Sequence, residues 1–227
     1  MGVRARLAAS FARVFLSIVA SKLAAKPPPI TLSSMVRWYH AIFSAYGYWL
    51  PNDPRGSWSN FVYAWELFRF GGPATKVTEK RSYAHDPHDA GFRRATKECL
   101  KYPPARFDAS CRDSIAEGFV SACNEFGLCI HACAIGFDHV HLVVARNADR
   151  PVEQIVAVLK SRATRQMKQD YTHPMLSYPD CPTPWSKSCW KVFINDERQL
   201  HSAIAYVTRH PEKEGLAPQR WSFITPV

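Results

Sequence analysis

The sequence predicts an α+β domain, a ferredoxin-like βαββαβ sandwich with a long insertion after the first strand and an added C-terminal helix that carries a tyrosine. Three observations predict it. Residues 128–135 and 139–145 are two apolar runs around Gly136-Phe137-Asp138, the pattern of a β-hairpin. Residues 111–126 and 152–169 flank that hairpin with apolar side chains at helical spacing. Residues 195–216, NDERQLHSAIAYVTRHPEKEGL, form a third amphipathic stretch. Strands and helices in this order make split βαβ units, whose helices pack on one face of the sheet.

Each element has a local reason. Residues 36–50, VRWYHAIFSAYGYWL, are aromatic and β-branched enough for a first strand, which PNDPRG then breaks. Residues 51–108 form the insertion. In 111–126, Ile115, Phe119, Ala122 and Phe126 share one side, and Gly127 is placed to stop the helix. After the hairpin, residues 152–169 turn Val152, Ile155, Val156, Leu159 and Ala163 inward. A short strand at 189–194 precedes the last helix. There Asp196 with Gln199 reads as a capping box, Leu200, Ala203, Ile204 and Val207 form the apolar stripe, and Pro211 marks the end.

Strand side chains alternate faces, so His139 and His141 project one way while Val140 and Leu142 enter the opposite layer. That geometry presents two imidazoles to one metal ion. On the last helix, Tyr206 and His210 stand one turn apart, close enough to act on one substrate. Each feature alone has a plain structural reading, since paired histidines are commonly surface residues and a helical tyrosine commonly packs. Their joint occurrence is the informative signal.

On these residues the chain resembles the single-tyrosine HUH transposases, which include the insertion-sequence-200-like enzymes and the REP-associated tyrosine transposases. His139-Val140-His141 carries the paired-histidine motif, and Tyr206-Val207-Thr208-Arg209-His210-Pro211 with Gly215-Leu216 carries the tyrosine helix. The similarity spans residues 35–211 and is strongest from Ala109 onward. Those relatives commonly place Asn or Gln four residues after the tyrosine as a third metal ligand, where this chain has His210. The resemblance implies Tyr206 as nucleophile and a divalent ion, Mg or Mn, on His139, His141 and His210. Magnesium favours oxygen ligands, so three imidazoles shift preference toward manganese or a later metal. The implied activity is cleavage and rejoining of single-stranded, hairpin-bearing DNA through a 5′-phosphotyrosine intermediate. A phenol ionises near about pH 10, so a tyrosine nucleophile needs a neighbouring cation or base.

A formal net charge of +10 points to a polyanionic partner. Residues 1–52 hold Arg4, Arg6, Arg13, Lys22, Lys26 and Arg37 and no acid. We read residues 1–34 as a basic, poorly ordered extension, and 35–227 as the catalytic domain with insertion 51–108. The apolar run at 14–20 is far shorter than the about 20 residues that span a bilayer, and no membrane partner is expected. Seven cysteines, an odd number, fit a reducing cytoplasm better than a disulfide framework. Cys129, His131 and Cys133 would share a strand face, but no paired CxxC units accompany them, which favours a core role.

Two surfaces are candidates for DNA. The insertion carries Trp58 and Trp65, with Lys76, Lys80, Arg81, Arg93, Arg94 and Lys97 nearby, able either to stack bases and contact phosphates or to pack an inserted helix on the core. Lys160, Arg162, Arg165 and Lys168 suit a DNA backbone track, although a solvated helix face is the ordinary role of such charges. His85 and His88, in the turn-like segment AHDPHD, read as surface residues, His40 lies in the first strand without an assigned role, His201 is unassigned, and Asp138 is either a turn residue or a partner that orients a histidine. Other readings stay open: a replication-type HUH endonuclease, a domesticated hairpin-binding protein without strand transfer, or a metal hydrolase that uses water. A homodimer with exchanged tyrosine helices is compatible with the resemblance.

Overall fold

A computed structural model describes residues 36–50, Leu67, 89–187 and 189–227, all within one compact unit, Val36–Val227. The expected extension 1–34 and most of the insertion lie outside the described residues, and with them Trp58, Trp65, Lys76, Lys80, Arg81, His85 and His88. The described elements run β1 (Trp38–Ser44), α1 (Ala90–Glu98), α2 (Ala109–Phe126), β2 (Ile130–Ile135), β3 (His139–Ala145), α3 (Val152–Gln169), β4 (Trp190–Ile194) and α4 (Glu197–Lys213). The strands form one antiparallel sheet in the order β2-β3-β1-β4, the ferredoxin-like arrangement.

β1 ends at Ser44, well before the expected position 50. The Ala45 N–H leaves the ladder for the Asp138 carbonyl at 2.7 Å, and the chain turns at Gly47, whose φ of 83° suits glycine. α1 is a helix that the patterning did not single out: Asp89 Oδ1 caps it by accepting from the Phe92 N–H at 2.9 Å, yet only Thr96 on it is buried. α2 starts two residues before its expected start, where Asp108 Oδ1 accepts from the Cys111 N–H at 2.8 Å, and it stops at Gly127 with φ 61°.

Pro211 does not end the last helix. It is buried in the final turn of α4, which continues to Lys213. A proline there forgoes only its own N–H bond one turn back, a loss tolerated close to a helix end. The expected capping box is offset by one residue: Asp196 Oδ1 accepts from the Gln199 N–H at 2.8 Å, while Gln199 Oε1 accepts from the Asn195 N–H at 3.2 Å.

Alternation along the strands makes the two sheet faces different. Ala41, Phe43, Val140, Leu142 and Val144 point to one side, where Ile115 and Phe119 of α2 and Ile155, Leu159 and Met167 of α3 complete the main core. The other side carries Ala132, Ala134 and Val143, covered by Leu200 and Val207 of α4. Gln219 bonds both the N–H and the carbonyl of Ile135 at 2.8 Å, and the Thr225 N–H donates to the Ile130 carbonyl at 2.7 Å. The C-terminal segment thus shields the outer edge of β2, which the sequence pattern left unassigned.

α2 and α3 cross at Gly118, where an added Cβ would sit 2.5 Å from Ala163 Cα and 2.6 Å from Ala163 N. Gly118→Ala is therefore expected to destabilise the domain by about 1–3 kcal/mol despite alanine's better helix propensity. A wild-type midpoint in urea denaturation would show that the crossing relaxes freely.

Candidate active site

β3 presents His139 and His141 on the face covered by α4, and both are buried. α4 approaches with Tyr206 and His210 on its flank. The Nε2 atom of His139 lies 3.1 Å from Nε2 of His141 and 3.0 Å from Nε2 of His210, so three ring nitrogens converge on one point. Nitrogens held about 2.1 Å from a common ion stand roughly 3.0–3.4 Å apart, so the spacing fits a metal ion. Asp138, which the sequence left between two roles, holds His139 Nδ1 at 2.6 Å. With its Nδ1–H donated to that carboxylate, His139 turns its Nε2 lone pair toward the other two rings.

His40, to which the sequence assigns a place in the first strand and no role, also belongs to the site. Its Nε2 lies 2.9 Å from His141 Nδ1, and its ring centroid stands 5.8 Å from that of Tyr206. β1 alternation alone could not reveal this, because the contact depends on how β1 registers against β3. Glu214 was also missed. Its Oε1 stands 3.6 Å from His139 Nδ1, and Gly136 leaves room for the carboxylate. A signal was present, since Tyr206, His210 and Glu214 recur every four residues.

Tyr206 is 43% exposed, with its ring centroid 5.6 Å from that of His141 and 5.7 Å from that of His210. Lys213 Nζ lies 4.4 Å from the Tyr206 ring centre and brings a positive charge to the site.

Burial pushes His40 down to about 4. It does the same to His210, down to about 4, assisted by His139, Lys213 and His40. Burial, with the neighbouring His139, His210, His40 and Lys213 adding to it, holds His141 well below the usual imidazole range. Neutral imidazoles are the form that binds metal. The sign for stability follows: below about pH 6.5 the unfolded chain takes up protons that the folded rings refuse, so folding weakens as pH falls toward 4. In chelator, the melting temperature is expected to drop between pH 7 and 5, and His40→Gln to show a smaller drop. An equal drop in that variant would remove His40 as a contributor.

A second expectation concerns Asp138. Asp138→Asn should weaken Mn2+ binding by about 10–100-fold, because the amide no longer anchors the His139 Nδ1 proton as a charged acceptor. Unchanged affinity by titration calorimetry would assign that anchoring to Glu214 instead.

The family model described as transposase, IS200-like, matches residues 98–210, about half of the chain, from the end of α1 to the third histidine. This chain belongs to the IS200-like transposase family. Family membership makes it a transposase-type DNA-processing enzyme from a family that is in general metal-dependent. Two solved structures are similar. One is a REP-associated tyrosine transposase bound to a REP hairpin, at 9% identity and a TM-score of 0.43, covering 80% of this chain and 70% of the other. The second is a candidate transposase from Deinococcus radiodurans, at 14% identity and a TM-score of 0.38, covering 79% and 92%. No curated protein matches the chain.

The four basic residues expected on the second long helix of this family member do not share one surface. Arg162 turns to α2 and forms two bonds with Glu125, at 2.6 and 2.8 Å. Lys160 is buried, donates to the Ser186 carbonyl at 2.8 Å, and is pushed down to about 8 by burial. Arg165 and Lys168 are exposed, and with Lys160 they line an open groove of about 1140 Å3 beside α3. Arg93, Arg94 and Lys97 lie on α1. Cys129 Sγ is 3.6 Å from His131 Nε2, while Cys133 is buried; the metal-type clusters found among the described residues all lie at the histidine site. No described helix is long and apolar enough to cross a membrane.

Proposed function

We propose that this transposase cleaves and rejoins single-stranded, hairpin-bearing DNA by tyrosine transesterification. The observation that carries the reading is the placement of Tyr206 and Lys213 beside three converging imidazoles on one sheet face. Tyr206 Oη attacks the scissile phosphorus, and the P–O3′ bond breaks as the P–Oη bond forms. The phenolic proton passes to solvent, and the departing oxygen takes a proton to become a 3′ hydroxyl. One phosphodiester is exchanged for another, so a second 3′ hydroxyl rejoins strands by the reverse step without a nucleotide cofactor. His139, His141 and His210 would hold a divalent ion, Mn2+ in preference to Mg2+, and a bound ion would supply charge withdrawal from the phosphate. Lys213 offsets negative charge developing near the phenol oxygen, and Asp138 and His40 hold two of the rings in place.

In this reading Arg165 and Lys168 contact the DNA backbone, Lys160 lines that groove, Arg162 is held on Glu125 away from it, and Trp58 and Trp65 are candidates to stack bases. A homodimer that exchanges tyrosine helices would assemble the same set of side chains from two chains. The test is incubation with labelled single-stranded DNA from both flanks of its own gene, with Mn2+ or chelator, resolved on denaturing gels. A Mn2+-dependent covalent protein–DNA species is expected. Cleavage without any such species would replace the tyrosine with water as nucleophile.

A further inference from the structure

We infer that the cavity between β4 and α4 seats one nucleotide of the DNA strand beside the phosphate that Tyr206 attacks, and so helps choose the cut site. The inference rests on the transesterification reading above. α4 packs mainly over β2 and β3, through Leu200 and Val207 against Ala132, Ala134 and Val143. On the half of the same face formed by β1 and β4, Ile194 is buried in this cluster and Trp38 packs against it, while the stretch at Val192 stays open. Register places His40 opposite Val192 there, and Val192 is 43% exposed.

A cavity of about 410 Å3 occupies this half, lined by His40, Val192, Asp196, Arg198, Gln199 and Ser202 among others. Its size falls at the low end of the range for small-ligand sites, about 300–1,000 Å3, which suits one nucleotide. His40 belongs to both places: it lines the cavity, and it bonds His141 and stands beside Tyr206. The helix wall is continuous with the nucleophile, because Gln199, Ser202, Ala203 and Tyr206 follow the spacing of one helical flank. A phosphate placed at Tyr206 therefore puts an adjoining nucleotide at the mouth of the cavity.

The lining suits a base better than a run of phosphates. The His40 ring and the Val192 side chain offer a surface on which a base can lie. Gln199 uses Oε1 on the Asn195 N–H, which leaves its amide donors for a base edge; Ser202 donates to the Arg198 carbonyl at 2.9 Å, which leaves its oxygen as an acceptor. Arg198 is exposed and has no ion pair among the described residues, so one phosphate can be met at the rim. Asp196 keeps a carboxylate oxygen on the helix cap and places a negative charge at the far end, which disfavours a second phosphate. The larger groove beside α3 has the opposite character, with Lys160, Arg165 and Lys168 along it and the main core between it and Tyr206.

The experiment uses the full chain carrying Tyr206→Phe, which cannot form an adduct. Single-stranded DNA from both gene flanks, and a short oligothymidylate, carry 4-thiothymidine at successive positions and are photo-crosslinked, and the crosslinked peptides are mapped by mass spectrometry. Crosslinks to β4 and the first half of α4, from one or two adjacent DNA positions, are expected. Crosslinks confined to α3, or absent from residues 192–203, overturn the inference. In parallel, Val192→Glu should weaken oligothymidylate binding about tenfold by placing a like charge in the cavity. Arg198→Ala should lower the salt dependence by about one phosphate contact. Both variants should melt and bind Mn2+ as wild type does; unchanged DNA binding in both overturns the inference. If the wild-type chain never forms an adduct, the transesterification reading falls, and the crosslink map still decides whether the cavity holds a nucleotide.

Discussion

Tyr206→Phe is expected to abolish the covalent protein–DNA species and to reduce strand cleavage by at least roughly a thousandfold. The substitution removes one oxygen and leaves the ring where it is, against His40, His141, His210 and Lys213. At 43% exposure the side chain contributes little to the core, so melting, Mn2+ binding and hairpin binding should all persist. The measurement is a quantitative adduct assay beside an electrophoretic binding assay on the same preparation. Wild-type cleavage by the phenylalanine variant would exclude Tyr206 as nucleophile and favour a water-based hydrolase. Loss of binding together with cleavage would instead assign Tyr206 to DNA contact.

His210→Ala is expected to lower Mn2+ affinity by more than about a hundredfold and to remove most cleavage, because one of three convergent nitrogens is lost. Truncation also leaves Tyr206 without the ring that stands 5.7 Å from its own. His210→Asn is the sharper variant. It keeps a polar side chain one turn after the tyrosine but offers an oxygen in place of an imidazole nitrogen, so part of the activity should return with Mg2+ gaining on Mn2+. Cleavage rates in each metal, beside Mn2+ titration by calorimetry, make the comparison. Wild-type Mn2+ affinity in His210→Ala would remove His210 from the ligand set.

The fold was largely legible because its signals are local. Apolar spacing over Val152–Gln169, glycine at position 127 and the alternation of His139–Ala145 each depend on near neighbours in sequence. The misplaced ends have tertiary causes. β1 stops at Ser44 because the next N–H group bonds the turn before His139, and Pro211 stays helical because it is buried in the last turn of α4. α1 is amphipathic but shallowly buried, so its pattern did not stand out within the insertion.

The candidate site divides in the same way. By itself the sequence determined that two histidines leave one strand on one side, and that a tyrosine and a third histidine share one helical flank, since both follow from fixed backbone periods. It also held the IS200-like pattern that shows the family. Only the tertiary structure decided that strand and helix meet, bringing the His139 and His210 nitrogens to 3.0 Å across 71 positions of sequence. The same packing brought His40 against His141 and Glu214 against His139, while tying Arg162 to Glu125 and burying Lys160. The physical reason is one of range: periodicity fixes the direction in which a side chain leaves its own element, whereas its partners are set by sheet register and helix crossing, which bring together residues far apart in the chain.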